Sequence, residues 1–136
     1  ADSIITATGF VPARTNVRGS LNKEKWVSTS FGINIYKVGN KRTYAIFLTD
    51  GKQRISINYS GPEQTGTVNT GEYLQASILG ESKEPYLCSN GAIEFTRFDT
   101  VAKSMSGYLK LSCRQEKNRA AVIDLDNAAF ENLTWK

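Results

Sequence analysis

Short runs of alternating apolar and polar residues, broken by turn signals at roughly 8- to 12-residue intervals, constrain this chain more than any other feature. Phe31, Ile33 and Ile35 alternate with Gly32, Asn34 and Tyr36, the period of a strand buried on one face. Gly39-Asn40 then makes a turn, and residues 43–49 read as a mostly buried strand. Asp50-Gly51 is a strong hairpin signal. Ile55, Ile57 and Tyr59 alternate on the return, so residues 31–59 form an expected three-stranded meander.

The pattern continues to the end of the chain. Gly61-Pro62 opens a polar stretch to Gly71 that reads as a loop. Strands are expected over 73–79, 92–98, 104–113, 120–125 and 130–135, with turns at 80–85, 99–103 and 114–119. No segment shows a capped helical period. Residues 117–131 come nearest, and one turn of helix near Asn127 is compatible with the pattern. Gly19, Gly32 and Gly107 fall inside strands, where glycine marks a bulge or a close backbone approach. The expected fold is all-β, an antiparallel sandwich or barrel of about eight to ten strands.

At 136 residues the chain fits one domain, residues 1–136, in which the apolar start (Ile4, Ile5, Phe10, Val11) makes 1–16 an N-terminal arm or an edge strand. No apolar run approaches the roughly 18 residues of a membrane helix. The opening Ala1-Asp2-Ser3 fits a mature end left by signal cleavage, or a boundary of other origin.

Two cysteines, Cys88 and Cys113, are too few for a structural zinc site in a chain with no histidine. They suffice for one disulfide. If Phe98 and Ser104 flank the 99–103 turn, Ile93 pairs with Leu109, and Cys88 falls within one residue of the position opposite Cys113. A bulge at Asn90-Gly91 would supply the missing residue of register. A Cys88–Cys113 disulfide is therefore expected, and with it an oxidising compartment.

The absence of histidine also removes the usual general base and the familiar catalytic triads. Ser20 and Lys23 have the spacing of a Ser–Lys pair but stand at a strand–turn boundary rather than at a helix start. Asp124 with Asp126, and Glu81 with Glu84, are carboxylate pairs at strand ends. Asp124, Asp126 and Asn127 carry calcium-type oxygens without the spacing of an EF-hand loop. No catalytic residue, metal ligand or cofactor site is assigned, and the chain is not expected to be an enzyme. The net charge of +4 comes from lysines and arginines scattered beside turns, as on a solvated surface. The aromatic residues suit core and cross-strand packing. Tyr36 and Tyr108 differ, because alternation puts them opposite the apolar face of their strands. They are the candidate ligand or partner surface.

Several stretches resemble a family of envelope lipoproteins of Bacteroidota, a domain of unknown function. They are Leu21-Asn-Lys-Glu-Lys-Trp26, Gly91-Ala-Ile-Glu-Phe-Thr-Arg-Phe-Asp99, Met105-Ser-Gly-Tyr-Leu109 and Phe130-Glu-Asn-Leu133. The resemblance spans about Val17 to Trp135. The two cysteines lie outside it, and Asp126-Asn-Ala-Ala129 departs from its Asn/Asp-Gly step. It implies an exported β-sandwich, secreted or held at the cell envelope, and brings no catalytic residues.

The leading expectation is a non-enzymatic secreted or envelope domain acting by protein–protein contact, as an accessory subunit or adhesin-like module. A carbohydrate-binding module stands beside it and requires a contiguous strip of exposed aromatics. A single-strand nucleic-acid binder is third. It requires aromatics and cations interleaved on one face, and nucleic acid is the less expected partner.

Overall fold

The computed structural model describes residues 3–7, 11–12, 17–22, 24–71, 73–80, 84–118 and 120–135. Among them are twelve strands: β1 (Ser3–Ala7), β2 (Val11–Pro12), β3 (Val17–Leu21), β4 (Glu24–Val27), β5 (Ser30–Val38), β6 (Lys41–Thr49), β7 (Arg54–Tyr59), β8 (Gly66–Asn69), β9 (Leu74–Leu79), β10 (Pro85–Asp99), β11 (Ser104–Gln115) and β12 (Val122–Thr134). The pairings are antiparallel. Ten strands form one path, β1-β5-β6-β7-β9-β10-β11-β12-β3-β4, with β2 beside β5 and β8 beside β10. The fold is all-β, as the alternation requires.

The sheet cannot be flat. From β5 to β4 the path crosses eight strand-to-strand steps, about 38 Å if laid flat. Only Ser28 and Thr29 separate the end of β4 from the start of β5, a reach of about 11 Å at most. The sheet therefore curls into a half-barrel that brings the end of β4 near the start of β5. Ser28, buried at this corner, donates its hydroxyl to Ser30 O (2.7 Å). The Thr29 N–H reaches Thr49 O (2.8 Å), carrying the β5–β6 ladder into the bend.

The curl encloses one core. Ile33, Ile46 and Ile57 lie in register across β5, β6 and β7, and Ile35, Tyr44 and Tyr59 form the next row. All six are buried, together with Leu74, Ile78, Ile93, Phe95, Leu109, Leu111, Leu125 and Phe130. The meander is the expected one. Its turns use Gly39 at φ 63° and Gly51 at φ 96°, angles a side chain resists. Asp50 Oδ1 accepts the N–H groups of Lys52 and Gln53 and fixes the second turn.

Two local expectations are corrected. The polar stretch 61–71 contains β8, which pairs Gly66–Asn69 with Phe95–Ala92. The Asp126-Asn127 region has no helical turn, because β12 runs through it, with register shifts against both β11 and β3. In both, polar residues mimic a break that long-range pairing overrides, by a short added strand in the first and by bulges in the second. The bulge expected at Asn90-Gly91 falls inside a continuous β10. At the N-terminus, β1 and β2 pair with β5, so the described part of 1–16 is an edge strand. The rest of 1–16, with Lys23 and Glu81, lies outside the described residues.

Candidate functional site

Cys88 and Cys113 face each other directly across β10 and β11, with their sulfurs at disulfide distance and both side chains buried. Ile93 pairs with Leu109, and the one-residue shift falls between Cys88 and Asn90. Ser89 is therefore the bulged residue, one place earlier than expected. Further along the ladder the strands come very close. A Cβ on Gly107 would lie 1.8 Å from the Glu94 carbonyl oxygen, and one on Gly91 2.3 Å from that of Lys110. Gly107 thus marks the close approach its position in the strand suggested.

Tyr36 and Tyr108 point outward, 39% and 53% exposed. They do not share a site. Five strand steps separate β5 from β11, about 24 Å along the curved sheet. Tyr36 lies between Ile4 and Thr43, and Tyr108 between Glu94 and Ala129. Trp26, Tyr44, Tyr59 and Trp135 are core residues. Tyr73 is exposed, with the Lys41 ammonium 5.1 Å from its ring centroid. The exposed tyrosines form no strip. Near Tyr108, the outward cations Lys110 and Arg114 share their region with Glu94, Asp124, Asp126 and Glu131. That face is mixed in sign, unlike a groove that tracks phosphates.

Of the carboxylates, Asp124 is held in place. Asp124 Oδ1 accepts from Ser112 Oγ (2.8 Å), and the Asp124 backbone is clamped by Asn22 through both Asn22 Oδ1 and its N–H. Among the described residues no group of three Cys, Asp or Glu side chains is placed to hold a metal ion.

Sequence reading missed a polar network at one end of the barrel. Residues 61–63 pass over the rings of Tyr44 and Tyr59. Glu63 takes a hydrogen bond from the Tyr44 hydroxyl and an ion pair from Arg42 Nη2 (2.5 Å), while the Tyr59 hydroxyl donates to Pro62 O. Partial burial pushes the Glu63 carboxyl up, but the hydrogen bonds from Arg42 and Tyr44 outweigh it, leaving a pKa below the ordinary carboxylate value. Burial, then the bond to Glu63, raises the Tyr44 pKa. Burial, then the Glu63 charge, raises that of Tyr59. Beneath lies an aromatic stack, with Tyr44 edge-on to Phe98 and Trp135, and Tyr59 edge-on to Phe95. Both tyrosine hydroxyls are hydrogen-bonded, and the network straps residues 61–63 across the end of the sheet.

A second missed feature is apolar. Leu79 and Leu87 are 41% and 48% exposed on the outer face of adjacent strands β9 and β10. Leu79 lies opposite Arg54 and Pro85, and Leu87 opposite Arg114. The Arg54 guanidinium sits 4.2 Å from the centroid of the half-buried Phe47 ring. Phe47, Leu79, Pro85 and Leu87 thus form an apolar patch flanked by two arginines. Its signal was present in the sequence, since Leu79 is out of phase with Leu74 and Ile78. Comparison of the chain with known families, curated proteins and solved structures finds no match to any of them.

Proposed function

We propose that this is a non-enzymatic β domain, secreted or held at the cell envelope, that works by protein–protein contact through the outer face of β7, β9 and β10. The observation that carries this reading is the patch of Leu79 and Leu87 beside the Phe47–Arg54 stack. Large apolar side chains grouped at one end of an outward face, with arginines beside them, match the composition of protein interfaces. The strands beneath are rigidly paired, so the patch is presented with little ordering cost. Export is supported by the Cys88–Cys113 geometry, which suits an oxidising compartment, and by the resemblance to envelope lipoproteins.

The test is site-specific photo-cross-linking in the native host. A photoreactive residue replaces Leu79, Leu87 or, as a control, Val101, which is 91% exposed in the turn after β10. The proposal expects one discrete protein conjugate from positions 79 and 87 and none from 101. The same pattern at all three positions, or no conjugate at any, would overturn it.

A further inference from the structure

Among the described residues, β8 has a partner on one side only. It pairs with β10, setting Gly66 opposite Phe95, Thr67 opposite Glu94, Val68 opposite Ile93 and Asn69 opposite Ala92. The Thr70 N–H bond to Gly91 O (3.0 Å) continues this ladder and fixes its phase. Hydrogen-bonded pairs alternate along an antiparallel ladder, so Gly66, Val68 and Thr70 turn their N–H and C=O groups toward β10. Thr67 and Asn69 therefore aim theirs the other way, where no described residue meets them with a hydrogen bond. Gly66, Thr67 and Asn69 are exposed, and a Cβ on Gly66 would meet nothing within 4 Å. The outer side of β8 is an open sheet edge.

Such an edge is ordinarily guarded by charge, by proline or by brevity. β8 is short, but residues 64–71 hold no charged residue and no proline. That neutrality bears on which partner fits. A two-fold axis brings the side chains of an edge close to their own copies, where a lysine or glutamate would repel itself. A strand from another protein imposes no such condition.

We infer that β8 pairs with β8 of a second copy of this chain, antiparallel about a two-fold axis at Val68. In that register Thr67 exchanges both backbone hydrogen bonds with Asn69 of the partner subunit, and Asn69 does the same with Thr67 of the partner subunit. Every outward N–H and C=O on both edges is then satisfied. Val68 faces its own copy at the closer, non-hydrogen-bonded spacing, as a β-branched pair. It is half-buried and packed against the core, so the contact carries the core across the axis. The Glu94 carboxylates, one strand behind on each side, stand about 14 Å apart, beyond a Debye length. An edge this short makes a weak dimer, with a Kd on the order of 0.1–1 mM. The inference goes beyond the contact face proposed above and does not rest on it.

The experiment is sedimentation equilibrium with amide hydrogen exchange, on the full chain with its bridge intact, up to about 1 mM protein. A reversible dimer is expected, with exchange at the Thr67 and Asn69 amides slowing as it fills. Thr67→Pro removes a donor that the single chain leaves unused. Its denaturation midpoint should stay near the parent value, while self-association weakens about 10- to 100-fold, the loss of two hydrogen bonds. Asn69→Lys should abolish the dimer by setting like charges across the axis. Val101→Lys, the same charge in the exposed turn after β10, should leave it intact. The inference is overturned by a chain that stays monomeric at about 1 mM, the result expected if the edge instead takes a strand of another protein. It is overturned equally by a dimer that leaves exchange at Thr67 and Asn69 unchanged, or by one that forms undiminished in both Thr67→Pro and Asn69→Lys.

Discussion

Two regions hold this barrel together by different means. Along β10 and β11 the lock is covalent and steric: the Cys88–Cys113 pair, a bulge on each side of Ile93, and two glycines where the backbones nearly touch. Over the other lock, residues 61–63 are held by polar contacts alone, through Arg42, Tyr44 and Tyr59. The first lock depends on shape and on the redox compartment. The second depends on protonation. The difference places a redox-dependent lock and a protonation-dependent lock in one small sheet.

The comparison breaks most sharply at Gly107. A methyl group there meets the Glu94 backbone oxygen, which has no side-chain freedom to yield. Gly107→Ala should destabilise the protein by roughly 3 kcal/mol or more, measured by chemical denaturation, more than any strap variant. Next comes the bridge. Cys88→Ala with Cys113→Ala should cost about 3 kcal/mol, the chain-entropy value for a loop of this length. Reduction should reproduce most of that loss in the parent chain.

The strap variants come third. Tyr44→Phe removes a buried hydrogen bond to a carboxylate and should cost about 1.5–3 kcal/mol. An Arg42/Glu63 double-mutant cycle should yield less, under about 1 kcal/mol, because both side chains remain about a third exposed. Smallest of all, Tyr36→Ala and Tyr108→Ala should stay within about 0.5 kcal/mol, since neither ring is part of the core.

The two locks also separate by pH. Glu63 has a lowered pKa in the folded state, so its contribution is present above its unfolded value near 4.5 and is lost as pH falls through the folded value. Tyr44 has a raised pKa, so its contribution is present below 10.0 and declines as pH rises beyond that. Stability measured against pH should show a shallower acid limb in Glu63→Gln and a shallower alkaline limb in Tyr44→Phe. The bridge variant should keep both limbs of the parent.

These two regions were also unequally legible in the sequence. The β10–β11 lock is local. The hairpin turn closes between Asp99 and Ser104, one residue off the expected Phe98–Ser104 closure, and the shift at Thr96 restores the Ile93–Leu109 pair, so counting brought Cys88 to Cys113 within the one residue that Ser89 supplies. The meander was equally plain, because each strand turns directly into the next. The strap joins Glu63 to residues some twenty positions earlier, through a loop whose only marks are Gly61-Pro62. No periodicity encodes such a contact. The outward patch lay between these extremes. Alternation exposes Leu79, but only the register of β9 against β7 and β10 brings it beside Arg54 and Leu87. Alternation put Tyr36 and Tyr108 opposite the apolar face without deciding their exposure; both are exposed, and strand order, which the sequence does not encode locally, keeps them apart. The break read at Asp126-Asn127 failed for a related reason. A bulge and a turn use the same residues, and only the partner strand decides between them.

The claim that this is an exported, bridged domain is tested most directly by the intact mass of the protein taken from its native source, before and after reduction. The account predicts that the unreduced chain is lighter by about 2 Da and resists alkylation until reduced, the signature of a closed Cys88–Cys113 bond in an oxidising compartment. Two freely alkylated thiols on the untreated native protein would contradict it.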